Sequence, residues 1–188
     1  MRHTSCMVAR VVALVLLIAA ALPARADQND PRLPGLFDRL RATASAEEAA
    51  DLRDQIWQIW FAAGDPEVDN LMELGDRAAA AGQLGMAVAI YDAVIERRPE
   101  FAEGWNRRAT VLYMGGAFDR SAADVAQVLL LEPRHFGALS GLGLINTARE
   151  RFDEAIAAYE RALAVDPHLP GARINLDTLR RRQGGRGI

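Results

Sequence analysis

Between residues 68 and 169 the apolar residues recur three and four apart, the spacing of one helix face, in runs broken by glycine or proline. Pro99, Pro133 and Pro167 are spaced by 34 and 34 residues. With them aligned, "GQLGMAVAIYDAVIERRPE", "GAFDRSAADVAQVLLLEPR" and "ERFDEAIAAYERALAVDPH" superpose without a gap, and so do the halves that precede them. Three units follow, 68–101, 102–135 and 136–169. Each predicts a helix, a tight turn near its fifteenth position, a second helix and a proline-containing turn.

Two antiparallel helices approach closely only where side chains are small. Gly75, Ala109 and Gly143 share one position of the first helix, and Ala87, Ser121 and Ala155 share one of the second. Large apolar residues fill the spaces between layers: Leu71, Trp105 and Leu139; Leu74 and Leu142; Leu84, Phe118 and Phe152; Tyr91 and Tyr159. Gly143 therefore reads as a packing glycine. Gly137 reads as easing the start of its helix after Pro133, and Gly141 as a weakness without a packing role, since glycine in a helix costs about 1 kcal/mol relative to alanine.

These positions carry a resemblance to the tetratricopeptide repeat family. The first unit matches at Leu71, Leu74, Gly75, Leu84, Ala87, Tyr91, Val94 and Pro99. The second matches at Trp105, Phe118, Ser121, Val128 and Pro133, and the third at Leu139, Leu142, Gly143, Phe152, Ala155, Tyr159, Ala162 and Pro167. Two departures, Arg108 in place of Leu and Val125 in place of an aromatic residue, predict weaker packing in the middle unit. The resemblance implies an all-α, right-handed solenoid of antiparallel helix pairs.

The flanks read as caps, which a solenoid needs because a terminal repeat otherwise exposes its apolar face. Residues 27–67 predict a leading helix pair: a short helix around Leu36, Phe37 and Leu40, then a helix opened by the capping box "SAEE" (Ser45 to Glu48), running to about Ala63 and ended by Gly64. Trp57 and Trp60, three apart in "IWQIWF", share a face and are expected to seal the amino-terminal edge of the stack. Residues 170–183 predict a closing helix with Ile174, Leu176 and Leu179 against the last repeat, and residues 184–188 a disordered tail.

Residues 1–26 have the form of a secretory signal. Arg2 and Arg10 precede twelve apolar residues, Val11 to Leu22, and "ARA" at 24–26 is a small-x-small cleavage site. Twelve residues are too few to span a bilayer core, which needs about 20. Cleavage after Ala26 would leave a periplasmic chain without a transmembrane span; an uncleaved signal would leave it anchored in the inner membrane. The mature chain holds no cysteine, which excludes disulfides and thiolate metal sites. Nineteen arginines against 25 acidic residues give it a formal charge of −6, opposed to nucleic-acid binding.

No enzyme signature emerges. His135 and His168 lie in inter-repeat turns and supply two imidazoles, fewer than the three or four ligands of a zinc site. The carboxylate pairs match no acid–base geometry, and "GLGLI" lacks the lysine of a phosphate loop. No cofactor is expected. The family resemblance implies instead a concave surface, lined by the first helices, that takes an extended or helical peptide. Its positions fall on Asp69, Met72, Asp76, Ala79 and Ala80; on Glu103, Asn106, Thr110, Tyr113 and Met114; and on Gly137, Ser140, Leu144, Thr147 and Ala148. That wall is neutral to acidic at one end and apolar in the middle. Family members that clamp a carboxyl terminus use Lys, Asn and Arg there, and Asn106 is the one match. The expected function is a non-enzymatic protein–protein interaction module of the bacterial cell envelope. The alternative is an envelope assembly or bridging factor acting through its capping surfaces, with Trp57, Trp60, Phe61 and the arginine tail (Arg180 to Arg182 with Arg186).

Overall fold

A computed structural model describes residues 27–184, and among these residues every regular element is helical. The leading pair is α1 (Leu33–Ala42) and α2 (Ala46–Phe61). The repeats follow as α3 (Pro66–Ala80) with α4 (Leu84–Arg97), α5 (Ala102–Met114) with α6 (Phe118–Leu131), and α7 (Phe136–Ala148) with α8 (Phe152–Val165). The chain closes with α9 (Pro170–Gly184). The expected signal, residues 1–26, and residues 185–188 of the expected tail lie outside the described residues.

Helix ends are set by local chemistry. Ser45 accepts from the Glu48 amide, and Asp65 from the amides of Glu67 and Val68, with Pro66 at the first helical position. Each repeat turns through the same motif: amides of residues 82, 116 and 150 reach back three residues, and those of 83, 117 and 151 reach back five. The motif needs a positive φ, which Gly82 (72°) and Gly116 (75°) supply without strain. Glu150 adopts φ 58° at the third copy, at a cost of about 1 kcal/mol.

Each first helix packs on its own second helix, and α5 and α7 also pack on the second helix before them. A β-carbon on Gly75 would lie 2.5 Å from the Tyr91 ring, and one on Gly143 2.4 Å from the Tyr159 ring. In the middle repeat the same contact is made by Ala109 and Val125, both buried in one cluster. The smaller partner makes room for the alanine methyl, so Val125 is compensated. Ser121 donates to the Ala109 carbonyl at 2.7 Å, and Ala87 and Ala155 are fully buried. Arg108 is compensated too. It forms a fork to both Asp124 oxygens at 2.8 Å, reaches Asp92 of the preceding repeat, and lies over the Trp105 ring. The expected weakening of the middle unit is replaced by a largely buried charge network.

The expected core position Leu74 is 43% exposed. Its equivalents Arg108 and Leu142 face the helix before them, and α3 has no such neighbour. The rest of that face is polar: Glu67, Asn70 and Arg77 stand where α5 carries Phe101, Gly104 and Val111. The first repeat thus brings its own solvated outer surface. At the other end α9 buries Leu176 and Leu179 against the third repeat, while Ile174 turns outward, 63% exposed. Leu71, Trp105, Phe118, Leu142 and Phe152 are half-buried within the core clusters, and Leu139 is fully buried.

The stack needs no further amino-terminal cap, and α1–α2 is not placed there. The hairpin lies along the inter-repeat turns. Gln28 donates to the Glu100 carbonyl and accepts from the Ala102 amide at the first turn. Phe37 lies under the Arg134 guanidinium, and Trp60 stacks on His135, at the second. Arg53 pairs with buried Asp166 at 2.6 Å, and His168 Nε2 meets the Thr43 carbonyl at 3.0 Å, at the third. Residues 27–61 form a strap that touches all three turns, reaching the third with Thr43 and Arg53 and returning to the second with Trp60. Its core joins Leu33, Phe37, Leu40, Leu52, Ile56 and Trp60 to Phe136 of α7.

Candidate functional site

Trp57 and Trp60 are thereby turned inward, against the start of the third repeat, instead of sealing an edge. The Trp60 indole stacks on His135 with ring centres 4.1 Å apart and planes 7° apart. Trp57 meets His135 and Phe136 edge-on and stacks on Phe61. Gly137 is explained by this contact: a β-carbon there would lie 2.6 Å from the Trp57 ring.

His135 is fully buried and caps α7. Its Nδ1 accepts from the Ala138 amide at 3.0 Å, so the neutral ring carries its proton on Nε2 and donates it to Glu103 Oε2 at 3.2 Å. Glu103, expected in the open groove, is 1% exposed. It also accepts from Asn106 at 3.0 Å and sits 2.8 Å from Arg107 Nε, an ion pair whose N–H is misaligned for a hydrogen bond. Arg107 spans from there to the face of Phe61, 4.6 Å from its centre, and to Asp76 at 3.4 Å. Among the described residues no cluster of three potential metal ligands occurs.

Two more expected groove residues are taken up by the chain itself. Met72 is buried in the first repeat's core, 6% exposed, and Asp69 accepts from the Ala63 amide at 2.8 Å as the α2–α3 linker crosses over it. Asp76 accepts from the Tyr91 hydroxyl at 2.6 Å while keeping an open side. Burial, and then this donation to Asp76, push the Tyr91 hydroxyl well above the ordinary tyrosine range.

The other expected positions remain accessible. Thr110, Met114 and Leu144 are exposed, and Asn106, Tyr113, Ser140 and Thr147 are half-buried. Three adjoining cavities take in Asn106, Thr110, Tyr113 and Leu144, while Met114, Ser140 and Thr147 line none of the three. The first, about 500 Å³, lies between the end of α2 and α3, bounded by Phe61, Asp69, Glu73, Asp76 and Arg107. The second, about 280 Å³, shares Phe61 and Arg107 and runs past Trp57, Asn106 and Thr110 to Gly137. The third is an apolar slot of about 80 Å³ between α5 and α7, lined by Thr110, Tyr113, Gly141 and Leu144 among others. A β-carbon on Gly141 would meet nothing within 4 Å. The groove therefore has two walls, the first helices on one side and α2 on the other. The missing signal in the sequence was the fold-back of α2. Gly137, matched to Trp57 across 80 residues, was its trace.

Two family models, both described as tetratricopeptide repeat, match residues 72–130 and 137–169. A TPR repeat-containing protein of Rhizobium etli is 34% identical over 136 residues, covering 72% of this chain and 67% of the relative. This chain belongs to the tetratricopeptide repeat family. The small glutamine-rich tetratricopeptide repeat-containing protein 2 of Mycosarcoma maydis is 29% identical over 101 residues, covering 54% of this chain and 29% of that protein. Among solved structures, the Sgt2 TPR domain from Aspergillus fumigatus aligns with a TM-score of 0.61 at 24% identity, covering 65% of this chain and 84% of the domain. The first TPR of Spaghetti, bound to an HSP90 peptide, aligns with a TM-score of 0.60 at 21% identity, covering 62% of this chain and 93% of that one. These two likenesses bear on the fold. Among the described residues, no helix of this tetratricopeptide repeat protein is long and apolar enough to cross a membrane.

Proposed function

We propose that this protein is a non-enzymatic interaction module that binds an extended segment of a protein partner along the groove between α2 and the first helices of its repeats. The observation that carries this reading is the continuity of the three cavities: the first and second share Phe61 and Arg107, the second and third share Asn106, Thr110 and Gly137, and together they present apolar and hydroxyl side chains side by side. The peptide-bound neighbour supports it by analogy of fold. Trp57 and Trp60, which motivated a bridging role through capping surfaces, serve here as internal packing and groove wall.

The test is capture of partners from native extract by crosslinking. Leu144→Arg places a charge in the groove, and Leu130→Arg places one on the opposite, exposed face of α6. Loss of capture with the first and retention with the second supports the groove; the reverse pattern refutes it.

The place of action is proposed to be the bacterial periplasm, on the strength of Arg10, the apolar run to Leu22 and Ala24-Arg25-Ala26. Amino-terminal sequencing of protein from fractionated cells tests this. A start at Asp27 in the periplasmic fraction agrees with export, a start at Met1 with membranes indicates the anchored form, and a start at Met1 in the cytosol refutes both.

A further inference from the structure

We infer that the groove selects a cationic, aliphatic peptide, with a basic side chain seated beside Glu73 and the open side of Asp76 and an aliphatic side chain in the slot lined by Gly141. This rests on the groove being the partner site, and it names the partner's chemistry.

The cleft at the α3 end holds three carboxylates and one guanidinium. That guanidinium, Arg107, is shared among Glu103, the face of Phe61 and, at 3.4 Å, Asp76, while Asp69 is held by the Ala63 amide, so Glu73 is the carboxylate left most open. Asp54, on the adjoining stretch of α2 beside Trp57 and Phe61, adds a fourth carboxylate on the opposite wall. Among the described residues Glu73 pairs with Arg77, at 3.4 Å with both side chains in solvent, so it stays available to a ligand. The half-exposed Phe61 edge offers apolar surface to the methylene stem of a lysine or arginine whose charged end reaches the carboxylates. An acidic peptide would meet like charge along this wall, which is discrimination by repulsion.

The slot has the opposite character. Ala109, Val125, Ala138, Gly141, Leu144 and Ile145 surround it, with no charged side chain among its lining residues. Gly141, where a side chain would have free space, leaves room in it. Cleft and slot are separated by the width of α5, about 10 Å at ordinary helix spacing. An extended chain advances about 3.3 Å per residue, which places the basic and aliphatic side chains roughly three to five residues apart.

The experiment uses the chain from Asp27 and three labelled decapeptides on a Gly/Ser background, each with one leucine. Four residues from the leucine they carry paired Arg, paired Glu or paired Ser. Binding is read by fluorescence anisotropy at about 50 mM and 500 mM salt. The Arg peptide is expected to bind about tenfold tighter than the Glu peptide at low salt and to lose that lead at high salt. Asp54→Asn with Glu73→Gln should remove most of the lead, and Gly141→Leu should weaken the Arg peptide. If the Glu or Ser peptide binds as tightly as the Arg peptide, and Gly141→Leu weakens it, the cationic selectivity is wrong and the groove stands. If none of the three binds, or Gly141→Leu changes nothing, selectivity and groove assignment both fall.

Discussion

The Tyr159 ring occupies the space that a β-carbon on Gly143 would need, with Cε1 2.4 Å from its ideal position. Two residues earlier, Gly141 has open space at the same point. Alanine should therefore have opposite effects at the two sites. Gly141→Ala gains helix propensity, about 1 kcal/mol. Gly143→Ala overpacks the α7–α8 contact and should cost about 1–3 kcal/mol. Pairing it with Tyr159→Val, which copies Ala109 with Val125, should give a double variant less destabilised than the two single effects summed. Urea denaturation of the four variants checks both signs and the coupling.

Arg108→Leu restores the residue that the repeat pattern favours, yet it should destabilise the protein. The substitution strands the buried Asp124 carboxylate, which loses both hydrogen bonds from the guanidinium. Removing one partner of such a pair costs about 3 kcal/mol. Adding Asp124→Ala should recover much of the loss. Thermal melts of the single and double variants measure this; a stabilised Arg108→Leu protein would show that the network contributes nothing.

The repeats were legible because the period of 34 aligns residue types that need each other: small against aromatic, proline after the second helix. Arg108 and Val125 looked like defects because each was judged alone, while their compensation lies in Asp92, Asp124 and Ala109. The strap was not legible. Its helices have ordinary caps and an ordinary apolar face, and nothing local to Trp60 says that it packs on His135 instead of on α3. Long-range placement of a hairpin depends on which surface is left unsolvated, and the polar outer face of α3 (Glu67, Asn70, Arg77) was the available hint. The same fold-back decided the site: it buried Glu103, covered Asp69 and Met72, and supplied Phe61 as a wall.

Acid should loosen the strap before the solenoid. Hydrogen bonds from Arg32 hold the Asp30 carboxyl below its ordinary range, and the Thr43 hydroxyl, then Arg39, do the same for Glu48. Both residues belong to the strap. Because the folded form binds the proton less readily than the unfolded one, this stabilisation is present above the ordinary carboxylate range, near pH 4, and is lost as pH falls through and below it. Hydrogen exchange between about pH 6 and pH 3, corrected for the intrinsic rate, should show protection lost first in α1 and the start of α2. Simultaneous loss across all helices would contradict it.

The most direct test of the central claim, a partner groove with α2 as one wall and the first helices as the other, is amide shift mapping by NMR with the Arg–Leu decapeptide. The account predicts perturbations together in the last turns of α2, around Gln58 and Phe61, and on α5 and α7, around Thr110, Gly141 and Leu144. Perturbations confined to the exposed faces of α4, α6 and α8, around Met86 and Leu130, would contradict it, as would a footprint on α5 and α7 that leaves α2 untouched.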